Sequence, residues 1–227
     1  MPRRAARRVA TLRRPSSAPC SFAKPTVAPR ASAHRTVAAF SGVYAISSLC
    51  VQPTDGFGPF TRLDPDQVAA AGHLVCAARP ELSPLAEALV GVLRLTAPAP
   101  GPGVLLHGDL HPKNVLVHDS GVSLVDLDQA GVGPAAAELG GTLARLWRPR
   151  PGDEIDAGTA EAAGEALLAA YDRPPSRDDL LWYAATALLV ERAARAISRL
   201  DLATINDLEG VLATALAWAR RRTTEDR

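Results

Sequence analysis

The sequence has few cysteines and no long hydrophobic run. Its three cysteines, Cys20, Cys50 and Cys76, are scattered along 227 residues. They match no metal-binding spacing, and an odd number does not indicate a disulfide framework. Residues 36–54 are uncharged but contain several Ser and Thr residues, so we expect no membrane-spanning segment and no membrane partner. A reducing cytoplasm is the simplest setting for such a chain, and we therefore expect a cytoplasmic protein.

Aromatic residues are also scarce, at 4% of the sequence, whereas hydrophobic residues as a whole make up 47%. The chain is long enough and apolar enough to bury a sizeable core, in one large domain or two small ones. Ala and Leu dominate the apolar fraction, which favours helices.

Acidic residues are absent from the first 54 positions. Residues 1–54 contain eight Arg and one Lys, a net charge of +9, whereas residues 55–227 carry all 24 acidic residues against 16 basic ones, a net charge of −8. The sequence therefore predicts a basic arm over residues 1–54, followed by a compact acidic domain over residues 55–227.

The basic arm is interrupted by prolines and has no sustained apolar period, so we expect most of it to be disordered and dispensable. Its Arg pairs are compatible with a transit-like targeting peptide or with nucleic-acid binding. No aromatic residue lies among the Arg pairs, and no nucleic-acid recognition fold accompanies them, so we expect no nucleic-acid partner. We favour a third interpretation, in which the arm is an incidental extension or a misread start.

The centre of the chain contains three short runs rich in Val and Leu, at residues 104–106, 115–117 and 122–125. These runs predict buried strands. Asp119, Ser120 and Gly121 form a turn signal between the second and the third run. Pairing of those two strands would bring Asn114, which precedes one strand, close to Asp126, which follows the other.

The polar residues at these strand ends suit metal-assisted phosphoryl transfer. Asp109 is a carboxylate that can orient an attacking hydroxyl and accept its proton. Asn114 and Asp126 supply the hard oxygen atoms that magnesium prefers, and the nucleotide phosphates and water would complete its coordination.

A family resemblance supports this interpretation. Residues 107–114 read His-Gly-Asp-Leu-His-Pro-Lys-Asn, which resembles the kinase-fold catalytic loop H-x-D-L-x-x-x-N. The glycine after the first histidine and the His-Pro after the leucine are similar to the aminoglycoside phosphotransferase and choline kinase branch. Residues 125–131, VDLDQAG, resemble the metal-binding segment of that branch. Residues 138–140, Glu-Leu-Gly, resemble its following D-L-A, with Glu in place of Asp. The specific match covers residues 104–140, and a looser helical match extends to about residue 222.

The resemblance implies an α+β fold, a mainly helical kinase-like C-terminal lobe with a small β element that carries the catalytic loop. It implies ATP and Mg as cofactors and a hydroxyl of a small molecule as the phosphoryl acceptor. Asp109 and His107 are the candidate catalytic residues, although tying the loop backbone together is the favoured role for His107. Asn114, Asp126 and Asp128 are candidate metal-binding residues, with a surface charge as the alternative for Asp128. Asn114 and His111 are candidate nucleotide contacts, and a structural role is an equal alternative for His111.

The sequence lacks a recognisable nucleotide-binding N-lobe. Such a lobe needs a Gly-rich hairpin, a strand Lys and a helix Glu that pairs with it. Lys24 is the only lysine before residue 60, and Gly56 and Gly58 do not form a G-x-G-x-x-G motif. We therefore interpret the chain as a C-terminal lobe whose N-lobe is truncated. The alternative to an active phosphotransferase is a truncated, non-catalytic kinase-fold remnant or binding module.

A third hypothesis is a metal-dependent hydrolase built on His107, Asp109, His111 and Asp126. Two histidines of this set fit transition-metal ligation, but no second His/Asp cluster joins them.

Capping and periodicity signals predict helices on both sides of the strands. The expected helices cover residues 65–78, 83–95, about 135–147, 157–171, 176–200 and 203–222. The second is followed by a proline-rich segment that leads into the first strand.

Overall fold

The computed structural model describes residues 9–11, 53–99, 101–111, 114–118, 121–149, 156–169, 171 and 174–221. Most of the predicted basic arm lies outside these residues, as do Lys113 and the Asp119–Ser120 turn. None of the described helices has the length and apolar character that a membrane crossing requires.

Helices make up most of the described chain. The helices are α1 (Pro65–Ala78), α2 (Ser83–Leu95), α3 (Ala135–Trp147), α4 (Ala157–Ala169), α5 (Arg177–Ala187), α6 (Arg195–Arg199), α7 (Leu202–Asn206) and α8 (Leu208–Arg221). Short 3₁₀ turns cover Pro80–Leu82 and Leu127–Gln129.

Local capping signals explain why the helix starts agree with the predictions. The Asp64 side chain accepts a 2.8 Å hydrogen bond from the Gln67 N–H, and Pro65 occupies the first turn of α1. Ser176 Oγ accepts a 3.1 Å bond from the Asp179 N–H at the start of α5. These side chains satisfy backbone donors that a helix start leaves unpaired.

Two predicted helices differ from the structure. The helix expected over residues 176–200 is continuous, but its middle part, Leu188–Ala194, is π-helical and joins α5 to α6. The helix expected over residues 203–222 is broken into α7 and α8 at Asp207. Asp201 caps α7, and the Asp207 carboxylate is held by an ion pair with Arg148. The Asp201 cap places the helix start one residue before the expected one, and the Asp207–Arg148 ion pair holds the residue at which the expected helix is interrupted.

Two small antiparallel sheets carry the central segment. The first contains β1 (Val9–Thr11), β3 (Val115–His118) and β4 (Gly121–Val125), in the order β1-β4-β3. The second pairs β2 (Val104–Leu106) with β5 (Gly131–Gly133). The sequence predicted β2, β3 and β4, whereas it gave no signal for the three-residue β1 and β5.

Apart from residues 53 and 54, strand β1 is the described part of the predicted basic arm. It pairs antiparallel with β4, with Val9 opposite Val125 and Thr11 opposite Ser123. The arm therefore supplies an edge strand to the sheet that ends at Asp126. The expectation of disorder for the rest of the arm stays a prediction.

Two hydrophobic clusters support the fold. The larger one is formed mainly by α1, α2, α5, the π-helical segment and α8. The second lies between the sheets and helices α3 to α5, and it includes Leu110, Val115, Leu124, Leu139 and Leu143. Because Leu110 belongs to this cluster, the loop between β2 and β3 is anchored to the core.

Candidate active site

The segment between β2 and β3, residues 107–114, forms the centre of the candidate site and is called the 107–114 loop below. Val115 pairs with Leu124 in the β3–β4 hairpin. Asn114 and Asp126 therefore flank the same end of the hairpin, as the sequence predicted. The residues that follow β2, precede β3 and follow β4 thus lie near the same end of the hairpin.

His107 is completely buried, and its two ring nitrogens contact backbone groups. Its Nε2 lies 2.9 Å from the Val125 carbonyl oxygen, and its Nδ1 lies 3.3 Å from the Asp109 nitrogen. This arrangement fits a neutral ring that donates from Nε2 and accepts at Nδ1. Burial lowers the pKa of His107, which favours the same neutral form. His107 therefore ties the loop to β4, and neither ring nitrogen is left to bind a metal.

Glu138, in the first turn of α3, holds the start of the loop. Its buried Oε2 accepts hydrogen bonds from the backbone N–H groups of His107 and, at 3.3 Å, of Gly108. Burial raises the pKa of Glu138 from 4.5 to about 7, although these two hydrogen bonds act in the opposite direction. The carboxyl group therefore fixes the backbone immediately before Asp109.

Gly108 brings the loop against the 3₁₀ turn that follows Asp126. Its φ angle is +80°, and a Cβ atom at this position would lie 2.1 Å from the Gln129 carbonyl oxygen. Only glycine tolerates both this conformation and this approach. The close contact places Asp109 beside the segment that carries Asp126 and Asp128.

Asp109 lies between two arginines. Its Oδ1 is 3.4 Å from Arg145 Nη2 and 3.8 Å from Arg62 Nη1. Both guanidinium groups also donate to loop carbonyl oxygens, Arg62 to Gly108 and Arg145 to Leu110. The two arginines therefore hold the backbone on either side of Asp109 as well as its carboxylate.

Glu191 joins these two arginines from the π-helical segment. Its Oε1 is 3.1 Å from Arg62 Nη2, and its Oε2 is 2.9 Å from Arg145 Nη2. Arg62 is brought to this position because Phe60, two residues earlier, donates its N–H to the Val132 carbonyl of β5 at 2.9 Å. π-Helical turns often coincide with functional sites, and here the turn carries the carboxylate that both arginines share.

Asn114 is buried behind Asp109. Its Nδ2 donates a 2.9 Å hydrogen bond to the Asp109 carbonyl oxygen, and its N–H donates to the His111 carbonyl at 2.8 Å. This commits the amide nitrogen to the loop and leaves Oδ1 as the atom suited to a cation. His111 itself is partly exposed.

A pocket of about 300 Å³ is lined by Arg62, Asp109, Asp126, Asp128, Gln129 and Arg195. It brings together three of the predicted site residues, Asp109, Asp126 and Asp128. His107, His111 and Asn114 are not among its lining residues. Asp126 is exposed and adopts a left-handed backbone conformation, with φ 67° and ψ 54°, which is uncommon for a residue other than glycine and occurs often at functional sites.

The hydrolase hypothesis receives no support from this geometry. It required His107 as a metal ligand, but both of its ring nitrogens bind the backbone. Within the described ranges, no group of three or more His, Cys, Asp or Glu residues is arranged to hold a metal ion.

Sequence reasoning missed four charged residues of the site, Arg62, Arg145, Glu191 and Arg195. None lies in the matched motif, and each comes from a helix or loop far from residue 109 in the sequence. The one available signal was Glu191 followed by Arg192 and Arg195 within the otherwise apolar stretch of residues 187–197.

The comparison with protein families shows to which family the chain belongs. The model of the phosphotransferase enzyme family, APH, matches residues 23–175. The chain belongs to the phosphotransferase enzyme family. The match begins inside the predicted basic arm, and it includes the whole 107–114 loop, Asp126 and Glu138. The suspected family resemblance is thereby confirmed.

Solved structures of phosphotransferases share the fold. A thermostable mutant of aminoglycoside phosphotransferase APH(4)-Ia, in its apo form, matches with a TM-score of 0.60 and 17% identity over 84% of this chain and 67% of that one. Aminoglycoside-3′-phosphotransferase of type VIII matches with a TM-score of 0.51 and 24% identity, over 69% of this chain and 62% of that one.

A choline/ethanolamine kinase family protein from Mesorhizobium loti matches with a TM-score of 0.53 and 14% identity, over 84% of this chain and 67% of that one. The chain thus spans about two thirds of the length of these phosphotransferase-fold structures. At these identities the likeness establishes the fold, and it confirms the predicted kinase-like α+β class. No curated protein matches the chain significantly.

Proposed function

We propose that the protein catalyses the ATP- and Mg-dependent transfer of a phosphoryl group to a hydroxyl of a small molecule. The observation that carries this proposal is that Asp109, Asp126 and Asp128 line one pocket of about 300 Å³. A carboxylate for the acceptor hydroxyl and carboxylates for a hard cation are thus available in a single site. Membership of the phosphotransferase family supports the same reaction class. Because its three cysteines do not indicate a disulfide framework, we propose that the protein acts in the reducing cytoplasm.

Asp109 is the residue that acts on the acceptor in this proposal. It orients the hydroxyl and takes its proton as the hydroxyl oxygen bonds to the γ-phosphorus, while ADP leaves with the electrons of the broken P–O bond. Arg62 and Arg145 contact the Asp109 carboxylate and hold it in position. His107 and Glu138 hold the loop backbone, so they are positioning residues.

The residues at the site fit magnesium. Asp126 and Asp128 are exposed carboxylates at the pocket, and the Asn114 amide nitrogen donates to the Asp109 carbonyl oxygen, so Oδ1 is the Asn114 atom that we assign to a cation. All three donors are hard oxygen atoms. A magnesium ion, when bound, neutralises phosphate charge between protein and nucleotide. His111 stays a predicted phosphate contact.

Product analysis tests the proposal directly. The full chain is incubated with MgATP and a mixture of small alcohols, amino alcohols and hydroxy acids, and phosphorus NMR detects phosphate esters. We expect esters with the wild-type protein and almost none with Asp109→Asn. MgATP binding without any ester would favour the alternative, a non-catalytic kinase-fold remnant or binding module.

A further inference from the structure

Two sets of oppositely charged side chains line the pocket together with Asp109. The turn after β4 contributes the carboxylates of Asp126 and Asp128, and Arg62 and Arg195 contribute guanidinium groups. Arg62 lies 3.8 Å from Asp109, and Arg195 interacts electrostatically with Asp109. If the nucleotide and its metal occupy the two carboxylates of the turn, the part of the pocket that remains for the acceptor is lined by Arg62 and Arg195, called the arginine side below.

The carboxylates nearest to this arginine side are already paired. Glu191 contacts Arg62 at 3.1 Å and Arg145 at 2.9 Å. Asp109 contacts the same two guanidinium groups. Neither the Asp109 nor the Glu191 carboxylate is therefore left to bind an ammonium group of a substrate. A polycationic acceptor on the arginine side would meet two guanidinium groups, and the carboxylates of Asp109 and Glu191 are already paired with arginines.

Arg195 is the charged side chain on the arginine side that can bind a ligand. It begins α6, one turn after Glu191, and lines the pocket. In the part of the chain that the structure describes, it takes part in no hydrogen bond or ion pair. It does interact electrostatically with Asp109 and Glu191, and the neighbouring Arg62 and Arg199 repel it. An anionic ligand group would relieve this repulsion, and a guanidinium fits carboxylate and phosphate in a bidentate manner.

We infer that the acceptor is a small alcohol that carries a carboxylate or a phosphate group, which Arg195 binds while the hydroxyl lies at Asp109. This inference rests on the proposed function, because the placement of the acceptor depends on the nucleotide lying at Asp126 and Asp128. Arg62 contributes positive charge, but its contacts to Gly108, Asp109 and Glu191 commit most of its donors.

Four three-carbon alcohols that carry different charged groups test the inference. Glycerate carries a carboxylate, glycerol 3-phosphate a phosphate, glycerol no charge and 2-amino-1,3-propanediol an ammonium group. Saturation-transfer NMR on the full chain measures their binding, once in EDTA without nucleotide and once with Mg and a non-hydrolysable ATP analogue. We expect one or both anionic probes to bind more tightly than the neutral and the cationic probe.

Two matched variants assign the effect to Arg195. Arg195→Gln should weaken binding of the anionic probe about tenfold or more, the change expected from loss of one charge-assisted contact. Arg199→Gln removes the same charge from an exposed position on the same helix and should have little effect. Tighter binding of the aminodiol, no detectable binding of either anion, or equal loss in both variants would overturn the inference.

Nucleotide binding separates this inference from the proposed function. If Arg195→Gln weakens binding of the Mg-bound ATP analogue more than that of glycerate or glycerol 3-phosphate, Arg195 serves the nucleotide, and the acceptor inference is wrong. If Asp126→Ala leaves binding of that analogue unchanged, the proposed function fails. The measurement in EDTA still reports anion binding at Arg195 in that case.

Discussion

Arg145 Nη2 lies 3.4 Å from Asp109 Oδ1, although the two residues are 36 positions apart. The same nitrogen is 2.9 Å from Glu191 Oε2, and Nη1 of the same group donates to the Leu110 carbonyl oxygen. One guanidinium thus joins the loop backbone, the proposed catalytic carboxylate and the π-helical segment. A planar group with several donors can make these contacts at once, whereas a single ammonium group cannot.

Arg145→Lys should therefore destabilise the protein although it keeps the charge. Loss of a charge-assisted contact costs about 1.5–3 kcal/mol, so we expect a lower free energy of unfolding by roughly this amount. Denaturant unfolding monitored by circular dichroism measures the change. Arg94→Lys, at an exposed position on α2, is the matched control. Similar unfolding curves for the two variants would show that the contacts of Arg145 add nothing to stability.

Gly108→Ala should displace the loop. The methyl group would lie 2.1 Å from the Gln129 carbonyl oxygen, and φ would stay at +80° only at a steric cost. We expect the free energy of unfolding to fall by about 1–3 kcal/mol or more, as is typical of enforced strain.

Gly91→Ala serves as the control for this substitution. Gly91 lies in α2, and a Cβ atom there would meet nothing within 4 Å. Alanine is favoured over glycine inside a helix by about 0.5–1 kcal/mol, so this variant should be slightly more stable than wild type. Equal stability changes in the two variants would contradict the close contact between Gly108 and Gln129.

Glu138 should make stability depend on pH. Its pKa is about 7 in the folded protein and 4.5 is its ordinary value, so between these values the folded state binds more protons than the unfolded state. The contribution of protonated Glu138 is therefore fully present below pH 4.5 and is lost as the pH rises to about 7. Over this window the change amounts to about 3 kcal/mol.

Glu138→Gln keeps an oxygen acceptor for the His107 and Gly108 N–H groups but cannot ionise. Denaturant unfolding measures the free energy of unfolding of wild type and variant between pH 4.5 and 8. In the difference between the two proteins, the contributions of the other titrating groups cancel. We expect the wild type to lose stability relative to the variant as the pH rises, with a plateau above pH 7. Glu165→Gln, at an exposed position on α4, should give a flat difference. A flat difference for Glu138→Gln would refute the assignment.

The parts of the fold that the sequence predicted rest on short-range signals. The Asp64 and Ser176 caps act within three residues, and strands β2 to β4 are continuous apolar runs separated by polar turns. The positions of Asp109 and Asp126 follow from these strands. The motif within residues 107–114 also identified the family.

The remaining features depend on contacts between distant residues. Arg62 reaches Gly108 over 46 positions, and Arg145 reaches Glu191 over the same separation. No periodicity or spacing in the sequence encodes such a pair. The three-residue strand β5 contains two glycines, and it forms because β2 and the segment around Phe60 hydrogen-bond to it.

MgATP binding should be weak, and it should depend on Asp126 more than on Asp109. The sequence has two lysines, Lys24 and Lys113, and no Gly-rich nucleotide motif, so the metal side of the phosphate clamp is the part that can be identified. We expect a dissociation constant no tighter than roughly millimolar, about −4 kcal/mol. Asp126→Ala should weaken binding in isothermal titration more than Asp109→Asn does, because the proposed role of Asp109 is to act on the hydroxyl. Equal loss in both variants would contradict this division of roles. A micromolar constant that is lost in Asp126→Ala would instead mean that residues 36–60 form a working nucleotide lobe.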